Sequence, residues 1–377
     1  MWEKTKFGDI AIVVGGGTPD TNTSQYWNGK IQWFTPSEIG RNKYVYNSVR
    51  TISEEGLNKS SAKLLPIGTI LLSSRATVGE CSINKKECTT NQGFQSLIPK
   101  ENISNEFVYY LIQTKRKDLI RKSCGSTFLE ISANEVRKIV VSIPTIKEQD
   151  KIAKLLSLLD ERIATQNKII EDLKKLKSAI IDYAINSLDS GFVKFGSLYE
   201  MAGEGGTPTT SNASFYDNGK IPFIKIDDLK KKYLTENKDF ITELGLQKSS
   251  AWLVPSRSIL FSNGATIGEI TITTYPVCTK QGILGIVPKQ NIDVEFLYYF
   301  MSSSYFKKAV SRIVTEGTMK TAYLKDINNI LCPIPTKEKQ QEIAKMPSAL
   351  NSKIDFEQSI LKLFCSQKQY LLRQMFI

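Results

Sequence analysis

The stretch GGTPDTNTSQYWNGKIQWFTPSEI, residues 16–39, decides the fold because the chain carries it twice. It returns as GGTPTTSNASFYDNGKIPFIKIDDL at residues 205–229. Two further pairs of segments match in the same order: 51–83 with 240–272, and 88–100 with 277–289. Self-similarity on this scale is typical of two copies of one structural unit. Short apolar runs alternate with Gly, Pro, Asn and Ser in both copies, so we predict related domains built from strands and turns.

Length and composition are those of a folded protein. The 377 residues suffice for two ordinary domains, and 41% of them are hydrophobic and 23% charged. The longest apolar stretch near the start, residues 10–14, is far shorter than the roughly 20 residues of a membrane span. The six cysteines form no C-x-x-C pair, which speaks against zinc sites and disulfides. We expect a cytoplasmic protein with reduced thiols, no signal peptide and no membrane contact.

Each copy ends in a segment with helical periodicity, opened by IPTIKEQDKIAK at 143–154 and by IPTKEKQQEIAK at 334–345. Apolar residues then alternate at intervals of four and three, the heptad pattern of a coiled coil. The predicted seam consists of Ile152, Leu156, Leu159, Ile163, Ile170, Leu173 and Ile180, followed in the second segment by Ile343, Leu350, Ile354, Leu361, Phe364 and Leu371. Gln166 and Lys177 interrupt the first seam. Pro347 lacks a backbone donor, so we expect the second helix to kink or restart there.

The order globule, helix, globule, helix predicts an α+β protein. Two pseudo-repeated mixed α/β domains are expected, separated by two long antiparallel coiled-coil helices. The predicted boundaries are 1–145 for the first domain, 146–188 for the first helix, 189–335 for the second domain and 336–377 for the second helix. The alternative is that each helix packs only on its own domain. Paired helices would place a pseudo-twofold axis between the domains, which matches the dyad of duplex DNA.

Several kinds of chemistry are excluded by the residues present. The chain contains no histidine, which removes His-based metal sites and every Ser-His or Cys-His nucleophile. The glycines at 15–17 lead into Thr18 and Pro19 and not into a phosphate-binding helix. Asp227 and Asp228 imitate a metal-dependent nuclease motif, but the first copy has Ser37 and Glu38 there. We therefore expect no catalytic residue and no metal site.

The net charge of +12 favours a polyanionic partner, and double-stranded DNA fits the duplicated design. Two other classes stay open at this point. One is a carboxylate-dependent nuclease or DNA-modification enzyme that works without histidine. The other is a structural adaptor with no nucleic-acid role.

The whole arrangement resembles the specificity (S) subunits of Type I restriction-modification systems. The resemblance rests on the two IPT-x-x-x-Q-x-x-I-A-K openings and on the duplicated GGTP, NGKI and G-x-E elements upstream of them. It implies that each globule is a target-recognition domain for one half of a bipartite DNA sequence. The helices would set the spacing and dock two methyltransferase (M) subunits, with restriction (R) subunits joining the complex. S-adenosylmethionine, ATP and Mg would then belong to the partner subunits, with no cofactor in this chain.

Comparison of the two copies separates two sets of candidate DNA-binding residues. Side chains kept in both copies suit the fold or phosphate contacts: Thr18, Lys30 and Gln92, with Thr207, Lys220 and Gln281. Side chains that differ in matched loops suit base contacts: Thr35, Ser37, Ser74, Arg75 and Asn91, against Lys225, Asp227, Asn263, Gly264 and Lys280. Arg75 is the preferred candidate for a guanine contact. Trp33, Phe223 and the tyrosine pairs at 109–110 and 298–299 are expected in the core.

Overall fold

The computed structural model describes residues 2–125, 129–264, 266–314 and 320–376. The chain forms two compact units: unit 1 comprises residues 1–167 and 360–377, and unit 2 comprises residues 168–359. Each unit therefore contains one globular part and one end of each long helix. The sequence predicts four segments, in which each long helix is a segment of its own. This four-segment division stays a prediction.

Unit 1 combines an α+β globule with the first part of the first long helix, α6, which continues into unit 2, and with the end of the second long helix. Its elements are β1 (Glu3–Lys6), α1 (Phe7–Ile10), β2 (Ala11–Gly15), β3 (Trp27–Phe34), β4 (Tyr44–Val45), β5 (Arg50–Ile52), α2 (Glu54–Asn58), β6 (Ile70–Leu72), β7 (Cys81–Asn84), β8 (Cys88–Thr90), β9 (Gln95–Pro99), α3 (Asn105–Thr114), α4 (Arg116–Arg121), α5 (Ala133–Lys138), β10 (Val140–Ile143) and α6 (Ile146–Asn186). The strands form sheets of order β2-β9-β6-β7-β4, β5-β3-β8 and β1-β10.

Unit 2 repeats this plan and is completed by the second long helix. Its elements are β11 (Phe192–Lys194), β12 (Tyr199–Glu204), β13 (Ile221–Ile224), β14 (Tyr233–Leu234), β15 (Asp239–Ile241), α7 (Glu243–Gln247), β16 (Ile259–Ser262), β17 (Ile270–Thr273), β18 (Cys278–Thr279), β19 (Ile283–Pro288), α8 (Val294–Ser302), α9 (Ser304–Ile313), α10 (Leu324–Ile327), β20 (Leu331–Pro333) and α11 (Lys337–Met375). The sheets have the orders β12-β19-β16-β17-β14, β15-β13-β18 and β11-β20, which match unit 1 strand for strand. The predicted duplication is confirmed at the level of topology.

The main core of each unit lies between the five-stranded sheet and the helix that follows its last strand, α3 in unit 1 and α8 in unit 2. Trp33 and Phe223 are buried in smaller clusters against the three-stranded sheets. Tyr110 and Tyr299 are fully buried. These aromatic residues serve the core, as the sequence predicted.

The two long helices are each unbroken, with 41 residues in α6 and 39 in α11. Pro347 lies inside α11 and is buried, so the predicted restart at this proline does not occur. Proline removes one backbone donor, and the helix continues because the other backbone donors of the turn remain. A kink at Pro347 stays a prediction.

Within unit 1 the two helices contact each other in antiparallel fashion. The Lys368 ammonium of α11 lies 2.6 Å from the Asp160 carboxylate of α6. Two residues further along α6, the Arg162 guanidinium lies 6.0 Å from the ring of Phe364, four residues earlier in α11. Residue numbers rise along one helix as they fall along the other, so α6 and α11 run in opposite directions.

Unit 2 contains a contact between the two helices that matches the Asp160–Lys368 contact of unit 1. The Lys177 ammonium of α6 donates a hydrogen bond of 3.0 Å to the Asn351 side chain of α11. Burial lowers the pKa of Lys177 below its usual value. Lys177, which interrupts the apolar seam of α6, therefore has a polar partner, Asn351, on α11.

Burial identifies the inward face of the helix pair. Five seam residues are buried, namely Ile152, Leu156, Leu159, Ile170 and Ile354. The other eight are half-buried: Ile163, Leu173, Ile180, Ile343, Leu350, Leu361, Phe364 and Leu371. Several of these side chains also belong to the cores of the globules, for example Ile152 and Leu156 in unit 1. Each helix therefore packs both on its own globule and on the other helix, so the two interpretations of the heptads are not exclusive.

We predict that Leu159→Lys destabilises the protein by about 2 kcal/mol or more, because it places an ammonium at a position that is 7% exposed. The matched control is Leu158→Lys, at a position that is 50% exposed on the same helix, with an expected change within about 0.5 kcal/mol. The free energy of unfolding is measured for both variants by denaturant titration. Equal effects of the two substitutions would show that Leu159 is not in a packed seam.

Candidate functional site

The parallel pairing of β3 with β8 brings distant segments of unit 1 together. Phe34 lies opposite Thr90 in this pair, and the Asn91 N–H donates to the Phe34 carbonyl at 3.0 Å. The Ser74 N–H donates to the Gly93 carbonyl at 2.8 Å, which adds the segment after β6. Residues 35–37, 75–77 and 91–93 consequently form one surface, which we call the loop cluster of unit 1.

The loop cluster encloses an open concave site of about 360 Å³. Four residues selected from the sequence line it: Ser37, Arg75, Asn91 and Gln92. Thr35, also selected, does not line the site, but its hydroxyl lies 3.1 Å from the Ser37 hydroxyl. The structure thus brings together side chains that lie up to 57 residues apart in the chain.

The duplicated glycine pair positions Thr18 beside this site. A Cβ atom added to Gly16 would lie 2.0 Å from the Asn91 carbonyl oxygen, so only glycine permits this close approach. Thr18 follows two residues later, and its hydroxyl donates to the Gln92 side-chain oxygen. In unit 2, a Cβ on Gly205 would lie 2.2 Å from the Thr279 carbonyl oxygen, which gives the repeated glycine the same explanation.

Glu38 fixes the shape of the first loop. Its Oε2 accepts from the Thr35 N–H and from the Thr35 hydroxyl, both at 2.7 Å. Its Oε1 accepts from the Val49 N–H at 2.6 Å. One carboxylate therefore ties the start of the loop that carries Thr35 and Ser37 to the segment before β5.

Arg75 is held by an acidic residue that the sequence did not single out. Its Nη2 donates to both carboxylate oxygens of Glu130, at 2.9 and 2.8 Å. The two side chains are 44% and 41% exposed. Glu130 lies 55 residues further along the chain. It lies outside the segments that match between the two copies, so repeat comparison did not mark it. Counted back from the I-P-T motif, its counterpart in unit 2 is Thr321.

Two of the side chains selected as base contacts are buried in the protein, and their role as base contacts stays a prediction. Ser74 and Asn263 occupy matched positions and are 0% and 1% exposed. The Asn263 amide donates to the Ala322 carbonyl at 3.3 Å, inside the protein. Side chains alternate between the two sides of an extended segment, so the residue after Ser74 points outward while Ser74 points inward. In this structure the Asn263 side chain holds its loop against residue 322, and neither side chain lies at the surface.

Lys30, within β3, and Lys220, directly before β13, are exposed in matched positions. Their location suits contacts with phosphates, which need charge and reach more than fixed geometry. Each follows a glycine of the repeated N-G-K-I element, with the preceding Asn28 and Asn218 at positive φ angles of 60° and 58°.

The loop cluster of unit 2 comprises residues 225–228, 263–264 and 280–282. The Lys280 N–H donates to the Ile224 carbonyl at 2.9 Å, in the same way as Asn91 in unit 1, and this places Lys280 beside Lys225. The Gln281 N–H donates to the Thr207 hydroxyl at 3.3 Å. The side chains differ from those of unit 1 on the same backbone frame.

A groove of about 770 Å³ adjoins this second cluster and contains Lys225 and Asp227 but not Lys280 or Gln281. Lys225 pairs with Asp239 at 2.8 Å, and Asp227 pairs with Lys230 at 3.1 Å. The Asp228 carboxylate accepts from the Lys225 N–H at 2.9 Å. The two aspartates that imitate a nuclease motif are therefore both engaged by lysine residues.

A largely buried lysine joins each globule to a long helix, and no sequence pattern marks it. Lys232, whose side chain is 2% exposed, donates to the Tyr299 and Ser348 hydroxyls at 2.9 Å each and pairs with Glu295. These partners occupy all three N–H donors of the ammonium. Ser348 lies on α11, so the interaction fixes that helix to the globule of unit 2.

Lys43 makes the matching interaction in unit 1. It donates to Glu106 at 2.9 Å, to the Ser157 hydroxyl of α6 at 3.1 Å and to the Tyr110 hydroxyl at 3.4 Å. Burial alone would raise the pKa of Glu106, but hydrogen bonds from Tyr44 and Lys43 outweigh it and lower that pKa below its usual value. We call the Lys43 and Lys232 clusters the anchors.

The glutamine that follows each I-P-T motif makes the same two backbone hydrogen bonds in both units. Gln149 is buried, accepts from the Ser104 N–H at 2.9 Å and donates to the Pro144 carbonyl at 2.9 Å. Gln340 accepts from the Asp293 N–H at 2.8 Å and donates to the Pro335 carbonyl at 2.9 Å. Each glutamine satisfies an orphan donor just before a core helix and so sets where the long helix starts.

Within residues 2–125, 129–264, 266–314 and 320–376, no group of three or more acidic or cysteine side chains is placed to hold a metal ion. None of the helices in the described part of the chain is long and apolar enough to cross a membrane.

Comparison with known proteins gives a consistent result for both halves of the chain. The family model for the Type I restriction modification DNA specificity domain matches residues 1–175 and 188–363. The specificity subunit of the Type I restriction enzyme MjaIX of Methanocaldococcus jannaschii is 31% identical over 379 residues, which cover 94% of this chain and 87% of that protein. The specificity subunit of EcoR124I/EcoR124II of Escherichia coli is 31% identical over 175 residues, 45% of this chain and 42% of that protein.

Solved structures agree on the fold. A chain from a study of complex assembly and conformational transition in the Type I restriction-modification system aligns with a TM-score of 0.67 and 15% identity, covering 99% of this chain and 97% of that one. The crystal structure of a Type I S subunit from M. genitalium aligns with a TM-score of 0.58 and 17% identity, covering 100% and 96%.

We predict that Glu38→Ala lowers the free energy of unfolding by about 1–3 kcal/mol, because the N–H groups of Thr35 and Val49 lose their acceptor. The matched control is Glu101→Ala, which removes an exposed carboxylate from a turn of the same unit. Its expected effect is within about 0.5 kcal/mol. The free energy of unfolding of both variants is measured by denaturant titration. If Glu38→Ala loses no more stability than Glu101→Ala, Glu38 does not hold the first loop in shape.

Proposed function

The chain belongs to the family of Type I restriction modification DNA specificity domains and is a DNA-recognition subunit, and on this premise we propose that each unit reads one half of a bipartite duplex target. The observation that carries the proposal is the pair of loop clusters. They occupy matched positions on matched sheets but present different side chains, such as Ser37 and Arg75 against Asp227 and Gly264. A common frame with different side chains suits two different base sequences.

The division of roles among the side chains supports the same proposal. Exposed lysines kept in both units, Lys30 and Lys220, are suited to phosphates, which supply affinity without sequence information. Side chains that line the concave site of unit 1, such as Arg75 and Asn91, carry the hydrogen-bonding groups that base edges require. Phosphates would orient the duplex and the loop clusters would select its sequence.

We propose further that the chain has no catalytic centre and acts within a larger complex of two methyltransferase subunits and the restriction subunits. S-adenosylmethionine, ATP and Mg would be bound by those partners. The outward faces of the long helices support docking, because they expose apolar side chains that a lone helix pair would not need: Leu155, Leu158, Leu176, Met346 and Leu363. The anchors would keep these faces in a fixed position on each globule, and the helix pair would set the spacing of the two half-sequences.

Duplex binding tests the proposal through its dependence on salt. The full chain with its methyltransferase partner should bind duplex DNA with an affinity that falls steeply as salt rises, since counterions are released from the phosphates. Lys30→Ala and Lys220→Ala should each weaken binding to all sequences and lower the slope of log affinity against log salt by about one. Lys154→Ala is the control, because it removes an exposed charge from α6 and from neither loop cluster. Absence of salt-sensitive binding, alone or with the partner, would refute the proposal.

A further inference from the structure

The ion pair between Arg75 and Glu130 has a composition that is unusual for a surface facing DNA. The chain is strongly basic, with a net charge of +12, yet a carboxylate stands beside the arginine of the loop cluster. A negative charge there weakens attraction to phosphates. A carboxylate at this place can, however, accept a hydrogen bond from a donor on a base edge.

Resting on the proposed function, we propose that Arg75 and Glu130 together read one G·C base pair in the major groove. That base pair presents, in order across the groove, two acceptors on guanine, N7 and O6, and then the N4 amino donor of cytosine. A guanidinium supplies two donors in a rigid fork, and an adjacent carboxylate supplies an acceptor. The pair is therefore complementary to all three groups.

The contacts within the pair leave these groups accessible. Nη2 of Arg75 holds the carboxylate, while Nη1 and Nε form no hydrogen bond with any residue that the structure describes. Both side chains are less than half exposed but reach the surface, at 44% and 41%. On the duplex, Nη2 can be shared between Glu130 and guanine, because each carboxylate oxygen and each amino group supports more than one hydrogen bond.

The backbone holds the two residues in register before any ligand is present. Arg75 and Glu130 form an isolated antiparallel β-bridge. On either side of it, the Ile131 N–H donates to the Ser74 carbonyl at 3.0 Å and the Ala76 N–H donates to the Leu129 carbonyl at 3.3 Å. Side chains fixed in this way lose less conformational entropy on binding, which favours a sharply defined contact.

An A·T base pair does not complement the hydrogen-bonding groups of Arg75 and Glu130. An A·T pair presents acceptor, donor and acceptor in the same order, so a donor of Arg75 would face the adenine amino group and Glu130 would face the thymine O4. Two of three contacts would then be repulsive, and repulsion against the wrong partner is what creates specificity. Unit 2 has Gly264 and Thr321 at the matched positions, so this reading belongs to unit 1 alone.

The test compares the methylated sequences produced by the full chain in its complex with the methyltransferase subunits. DNA carrying a randomised pool of sites is methylated and sequenced, for the original chain and for Glu130→Gln and Arg75→Ala. The original chain should require a G·C pair at one position of one half-sequence. Both variants should reduce the preference at that position by about tenfold and leave the other half-sequence unchanged.

Arg121→Ala is the control, because Arg121 also forms an exposed ion pair in unit 1, with Asp118 at 2.9 Å, but lies outside the loop cluster. It should leave every position unchanged. Thermal unfolding is measured for each variant, and Arg75→Lys replaces Arg75→Ala if the latter does not fold, since lysine keeps the charge but not the fork. If both variants keep the preference unchanged, or if the affected half-sequence requires no G·C pair, then Arg75 and Glu130 do not together read a G·C base pair. A chain that yields no defined sequence at all would instead overturn the proposed function.

Discussion

The parallel pairing of β3 with β8, repeated in β13 with β18, is the constraint on which the rest of each unit depends. Parallel strands cannot be joined by a tight turn, so a long crossover must leave the first strand and return to the second. In unit 1 this crossover contains the segments that carry Thr35, Ser37 and Arg75, and the return strand ends at Thr90, directly before Asn91. Because both strands end at the same edge of the sheet, loops far apart in sequence meet there. The concave site is a consequence of topology, and its side chains are free to vary.

The anchors extend this constraint to the long helices. An ammonium removed from water is costly unless its donors are satisfied, and the partners of Lys43 and Lys232 satisfy them. One of those partners in each unit is a serine of a long helix. Displacing the helix would leave a buried lysine with an unpaired donor, so the anchor specifies position as well as stability. The buried glutamines Gln149 and Gln340 act in the same sense at the helix starts.

How far the sequence predicts this protein depends on whether a feature repeats. The duplication revealed the shared topology, and the heptads identified the inward face of the helices, because Leu159 is buried while its neighbour Leu158 is not. Comparing the copies located the loop clusters but could not distinguish inward from outward side chains, so the buried Ser74 and Asn263 are selected together with exposed residues. Glu130 was missed because it lies outside the segments that match between the two copies. The anchors were missed because a lysine in a polar segment looks like any surface lysine until its partners, which come from distant elements, are known.

The proposed function requires two independent readers on one scaffold. The decisive experiment replaces residues 189–335 with residues 1–145 of the same chain and sequences the methylated sites in cells that also express the methyltransferase. The half-sequence read by unit 1 should be retained, and the other half-sequence should become a second copy of it. A changed first half, or a second half that stays as it was, would show that the two units do not read independently.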